Sequence, residues 1–345
     1  MKDKKKYLYL LVFFIIIMYL TLSSIYDKKS FDLVLEGLKN IKPIYIIICT
    51  LLIFLYFLFQ GIYMKSILKS LNHKISLKSG IFYSLLEFYF SGITPSSTGG
   101  QPVQLYYMTK DDIPIRKSYI TLMLNTIFFK LVLLVLGLFV LIFSRDYIFD
   151  SSRFYIIFFI LGFIIDLLMV IFGFLLIFHK NYVKKILKGI LKLCNKTKFL
   201  SKFTKNYDLD ESFNKYQEDL KYFNKNKRII VLNFIITFIQ RLFLFSIIYV
   251  IYRALGFNRL SYFELLMIQV TVQIASECVP LPGGTALQEN MLHTIFINLF
   301  GVAFADMGMF LTRSFAFYLP LLASGIIILI YGFISNKKEM KKEKE

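Results

Sequence analysis

The chain has no tryptophan, and its 345 residues include only three cysteines, three histidines and seven prolines. Cys49, Cys194 and Cys278 are too few and too scattered for a disulfide framework. With His73, His179 and His293 equally isolated, no metal-ligand spacing emerges, so no metal site is expected. Walker sequences and dinucleotide fingerprints are missing, as is the His-to-Asp spacing of membrane acyltransferases, so neither a cofactor nor a catalytic residue is assigned. Asp111-Asp112 belongs to no aspartate-rich prenyl-binding run. Asp208-Leu209-Asp210 lies in a Lys-rich loop, where helix capping is its expected role. Acidic residues are also few: 22 Asp and Glu face 41 Lys and Arg, for a net charge of +19.

Apolar residues are abundant. They make up 57% of the chain, and the mean hydropathy of +0.62 marks an integral membrane protein. Several runs reach the roughly 20 residues needed to cross a hydrocarbon core about 30 Å thick. Full spans are expected near 7–26, 41–63, 117–143, 154–178, 229–251 and 307–334. The sixty-one Phe and Tyr residues suit lipid-facing surfaces. The long first apolar run lacks a small-residue cleavage site, so it reads as an uncleaved helix.

The placement of the positive charge argues against nucleic acid as a partner. It clusters in short flanks (Lys2 to Lys6, Lys65 to Lys78, Lys337 to Lys344) and in segment 180–228, which has fourteen basic and five acidic residues. Juxtamembrane clusters of this kind mark cytoplasmic loops and attract anionic headgroups. The 180–205 stretch carries apolar residues near a 3.6-residue period and is expected to lie on the membrane surface. Charge counts and parity place both termini in the cytoplasm, with a Lys-rich tail at 335–345 and one transmembrane domain over 1–334.

Two proline-glycine breaks interrupt the apolar sequence: Thr94-Pro95-Ser96-Ser97-Thr98-Gly99-Gly100-Gln101-Pro102 and Pro280-Leu281-Pro282-Gly283-Gly284. Open backbone at membrane depth survives only where protein buries it or it lines a polar cavity. The first break belongs to a hairpin over 79–112 with both ends cytoplasmic. Its arms are too short to cross, so it is expected to be re-entrant. The second hairpin, 262–304, has both ends outside and reads either as re-entrant or as two spanning helices. Two broken hairpins entering from opposite faces form an inverted repeat, and paired breaks point to a transporter's binding site. The expected fold is therefore all-α and polytopic, with about six full spans and two broken hairpins. The hydroxyls, Gln101 and glycine backbone of the breaks form a nest for phosphate oxygens; alternatively they close a tight turn.

Ionisable residues within spans each cost at least about 2.5 kcal/mol and normally face a pathway. Lys130, Arg241 and Arg313 are candidates to attract phosphate, and Glu87, Glu277 and Glu289 to favour an amine; Asp166 sits mid-span. Internal ion pairing is the alternative for each. Asp306 and Glu264 lie near segment ends and read as interfacial.

The two breaks resemble those of the lysylphosphatidylglycerol synthase transmembrane region, or flippase-like domain, with similarity over nearly all of 7–334. The resemblance implies a module like that of the multiple peptide resistance factor, credited with moving aminoacylated phosphatidylglycerol between leaflets. In that factor a separate cytosolic domain transfers the lysyl group. Here eleven residues follow the last span and the largest loop has 49, too few for such a domain. The expectation is a phospholipid flippase of the bacterial inner membrane, with membrane phospholipids and a separate synthase subunit as candidate partners. The alternatives are a phosphatidylglycerol lysyltransferase-type enzyme and an accessory protein of envelope glycolipid assembly.

Overall fold

The computed structural model describes residues 39, 41–94, 97–143, 153–178, 185, 214, 218–220, 227–279 and 285–342. The expected first span 7–26, most of the basic loop 180–228, Pro95, Ser96, Pro280, Pro282, Gly283 and Gly284 lie outside the described residues. Among the described residues the chain is helical, with no strand.

Eleven helices are used below. They are α1 (Pro43–Ser70), α2 (Leu77–Ile93), α3 (Gly100–Lys110), α4 (Ile115–Phe143), α5 (Arg153–Phe178), α6 (Lys227–Phe245), α7 (Ile247–Ala254), α8 (Tyr262–Ser276), α9 (Thr285–Phe300), α10 (Val302–Arg313) and α11 (Leu319–Lys342). α6 and α7 join at Ser246 into one apolar span, and α10 joins α11 through a π-helical turn at Ser314–Tyr318. With α1, α4 and α5 these give five helices long and apolar enough to cross a membrane, at the positions the sequence predicts.

Local chemistry sets the boundaries. Pro43 opens α1, where its missing N–H costs nothing. At its end Asn72 takes a left-handed φ of 55° and the His73 N–H returns to the Leu68 carbonyl, a C-terminal cap. Ser76 caps α2 by accepting from the Ser79 N–H. Ser261 and Glu264 form a reciprocal capping box at the start of α8. Glu264 therefore serves the helix end, in line with an interfacial position. Gly301, at φ 77°, turns the chain between α9 and α10.

The hairpin arms are short. α2 and α3 have 17 and 11 residues, and α8 and α9 have 15 and 16. At 1.5 Å per residue the longest is about 26 Å, less than a ~30 Å core. This decides the second hairpin in favour of two short arms over two spanning helices. The chain thus runs span, hairpin, span twice, as α1 to α4 and again as α6 to α11, with α5 between. That single crossing reverses the second copy relative to the first.

The copies exchange partners. α11 of the second packs on α2 of the first hairpin, and α4 of the first packs on α8 of the second. Two apolar clusters result. One surrounds the first hairpin with Tyr63, Tyr83, Leu86 and Leu321; the other surrounds the second with Leu136, Phe159, Val270 and Ile274. Large apolar side chains such as Ile47 and Phe54 on α1, Leu168 and Phe172 on α5, and Ile330 on α11 stay exposed as a lipid-facing surface.

Candidate functional site: a charged cavity between the hairpins

A cavity of about 470 Å³ lies between the two apolar clusters. Side chains from both hairpins and from the spans beside them line it, including Glu87, Ser97, Gln101, Lys130, Arg241, Glu277 and Arg313. Lys130 and Arg241 sit near the midpoints of their spans, which puts the cavity near mid-membrane.

Glu87, on α2, is held by amides from three other helices. Gln60 Nε2 on α1 donates at 3.2 Å, Gln104 Nε2 on α3 at 3.3 Å, and Asn125 Nδ2 on α4 at 3.2 Å. Gln240 on α6 donates in turn to Gln60 at 2.9 Å. One carboxylate therefore ties together four helices of the first copy and one of the second. Because every partner donates, the arrangement suits the ionised acid.

The three cations differ. Lys130 Nζ is 2.8 Å from Asp166 on α5 and 2.5 Å from Glu277 at the end of α8, and its side chain is only 7% exposed. Internal pairing therefore accounts for Lys130. Arg241 stacks on the Phe129 ring at 3.9 Å and donates to the Tyr56 hydroxyl at 3.4 Å, while its buried Nε has no hydrogen-bond partner. Arg313 donates from Nη1 to Gln288 at 2.5 Å and lies 3.9 Å from Glu289, with Nε and Nη2 buried and without hydrogen-bond partners. Two guanidinium groups on the cavity wall thus retain unused donors suited to a phosphate or carboxylate.

The first break divides between turn and cavity. The Thr94 hydroxyl accepts from the Gly99 N–H at 2.9 Å and donates to the Phe90 carbonyl at 2.6 Å, closing the opened backbone. A Cβ on Gly100 would fall 2.7 Å from the Glu87 carbonyl oxygen, so this glycine lets α3 press against α2. The expected approach of the Gly100 backbone to a ligand is in fact an approach to the hairpin's own first arm. Ser97, at φ 53°, and Gln101 line the cavity, with Gln101 donating to Thr126 at 2.6 Å, whereas Thr98 is exposed and lines no part of it.

Glu289 also departs from expectation: it does not line the cavity, and it accepts from the Tyr318 hydroxyl beside Arg313. His293, isolated in sequence, pairs with Asp306 at 3.0 Å. Sequence reasoning passed over the carboxamides Gln60, Gln104, Asn125, Gln273 and Gln288. A neutral carboxamide inside an apolar run is the signal that marks them.

Comparison with known proteins places this architecture. Residues 8–324 match the family described as the lysylphosphatidylglycerol synthase TM region. The chain belongs to that family. The UPF0104 membrane protein MJ1595 of Methanocaldococcus jannaschii is 26% identical over 220 residues, which is 62% of each chain. No solved structure matches. As a member of the lysylphosphatidylglycerol synthase TM-region family the chain is a multi-helix membrane protein.

Proposed function

We propose that this protein translocates a phospholipid, its headgroup crossing through the central cavity while its tails stay in lipid. The observation that carries this reading is the pair of under-used guanidinium groups, Arg241 and Arg313, on a mid-span cavity that also presents Glu87 and Glu277. Cations with free donors suit the phosphodiester, and the carboxylates favour a headgroup that also bears an amine, such as lysyl-phosphatidylglycerol. Alternating exposure of the cavity between two inverted copies would present it to each leaflet in turn. The setting we infer is a bacterial inner membrane with both termini cytoplasmic. A separate synthase supplying the aminoacylated lipid is a fitting partner.

The test is leaflet exchange in proteoliposomes carrying fluorescent lysyl-phosphatidylglycerol, phosphatidylglycerol or a polyprenyl phosphate. The expected result is faster exchange of the amine-bearing lipid, lost on Arg241→Ala while the protein stays folded. Equal exchange by the Arg241→Ala protein would remove this residue from the mechanism. No exchange of any lipid would favour an accessory role.

A further inference from the structure

The charges around the cavity fall into three sets. Glu87 lies within electrostatic reach of Arg241, Glu289 lies 3.9 Å from Arg313, and Lys130 faces both Asp166 and Glu277. One carboxylate is therefore in excess, and it sits at Lys130. Among the described residues no cation other than Lys130 lies within ion-pair distance of Asp166 or Glu277. The Cys278 thiol donates to the Ala275 carbonyl at 3.0 Å, and Gln273, which is neutral, donates to the second Glu277 oxygen at 2.9 Å. Arg241, from α6, is stacked on Phe129 and joins no ion pair among the described residues. Glu87 on α2 and Arg313 on α10 belong to their own sets across the cavity.

The two acids differ in burial. The Asp166 side chain is fully buried and, apart from its ion pair, neither of its oxygens has a hydrogen-bond partner; the Glu277 side chain is 18% exposed, on the cavity wall. Two carboxylates that share one ammonium, one of them fully buried, favour keeping a single proton between them.

We propose that the Lys130–Asp166–Glu277 cluster is a proton-exchange site, holding one proton while the cavity has no cationic ligand and releasing it when an amine-bearing headgroup enters. This rests on the lipid-translocation reading above. The only covalent change is the O–H of one carboxylic acid: the proton passes to water in the cavity, and the headgroup ammonium takes over as counter-charge at Glu277. Because proton and ammonium share one carboxylate, each weakens binding of the other by the same factor. Such a site couples proton movement in one direction to lipid movement in the other.

Infrared spectroscopy of the detergent-purified full chain tests the proton directly. A protonated-carboxyl C=O band is expected without lipid, and it should vanish in both Asp166→Asn and Glu277→Gln, because either change leaves one carboxylate for one ammonium. Lysyl-phosphatidylglycerol should discharge the wild-type band and acidify a weakly buffered sample, and phosphatidylglycerol should do neither. In proteoliposomes, wild-type exchange of lysyl-phosphatidylglycerol should respond severalfold to an imposed pH gradient, and Asp166→Asn should lose that response together with its preference for lysyl-phosphatidylglycerol over phosphatidylglycerol. Lipid exchange with no such band, or with a band that lysyl-phosphatidylglycerol leaves unchanged, would overturn the proton site alone. A band accompanied by no exchange of any lipid would overturn the translocation reading and the coupling built on it.

Discussion

At Glu87 three amide N–H groups converge on one carboxylate, and the acid has no donor of its own in that geometry. Glu87→Gln keeps the size of the side chain but turns an NH₂ toward neighbours that also donate. A buried donor left unsatisfied costs about 1–3 kcal/mol, so the variant should unfold at lower temperature in detergent than the wild type. An unchanged melting temperature would mean that the amides do not hold this carboxylate. Arg313 makes a different demand, because its worth to a ligand lies in its unused Nε and Nη2 donors. Lysine keeps the charge but offers a single point donor. Losing one charge-assisted hydrogen bond of about 1.5–3 kcal/mol weakens binding at least about tenfold, so Arg313→Lys should raise the lipid concentration for half-maximal exchange by that factor. The three cations were legible in the sequence because charge inside an apolar run stands out. Their different roles were not, since Asp166 meets Lys130 only once α5 packs on α4.

Among elements, the five long apolar helices and both broken hairpins were visible in the sequence because a bilayer imposes length, apolarity and an internally satisfied backbone. The π-helical turn at Ser314–Tyr318 was not. It carries no proline or glycine, and it shifts the helix directly after Arg313, bringing the Tyr318 hydroxyl to Glu289. Close helix contact was equally hidden. Gly162 of α5 lies so near α8 that an added Cβ would stand 1.9 Å from the Ile274 carbonyl oxygen, and a Cβ on Gly137 of α4 would stand 2.8 Å from the Ile274 side chain. Small residues at such crossings let the backbones approach. Gly162→Ala should therefore push α8 off α5 and lower stability by about 1–3 kcal/mol or more. The measurement is thermal unfolding of the purified variant. Wild-type behaviour would show that the two helices are free to part.

At the scale of the molecule, each copy of the repeat completes the other: α11 covers the first hairpin, α4 anchors the second through Lys130, and the cavity exists only where the two meet. The two described cysteines sample this arrangement without any added probe. Cys278 follows Glu277 and lines the cavity, whereas Cys49 on α1 is fully buried in an apolar cluster with Ile247 and Leu311. In a Cys194→Ser background, a small cationic methanethiosulfonate should label Cys278 and leave Cys49 unreacted, with mass spectrometry of the peptides assigning each site. If a headgroup occupies the cavity, saturating lysyl-phosphatidylglycerol should slow labelling of Cys278, and Glu277→Gln should slow it without lipid by removing the carboxylate that attracts the reagent. Equal labelling of both cysteines would mean that α1 does not pack as described. Labelling of Cys278 that is indifferent to lipid would place the headgroup path elsewhere. A thiol that reacts, is shielded by the amine-bearing lipid and depends on Glu277 would tie the accessible space, the ligand and the charge to one place between the two copies.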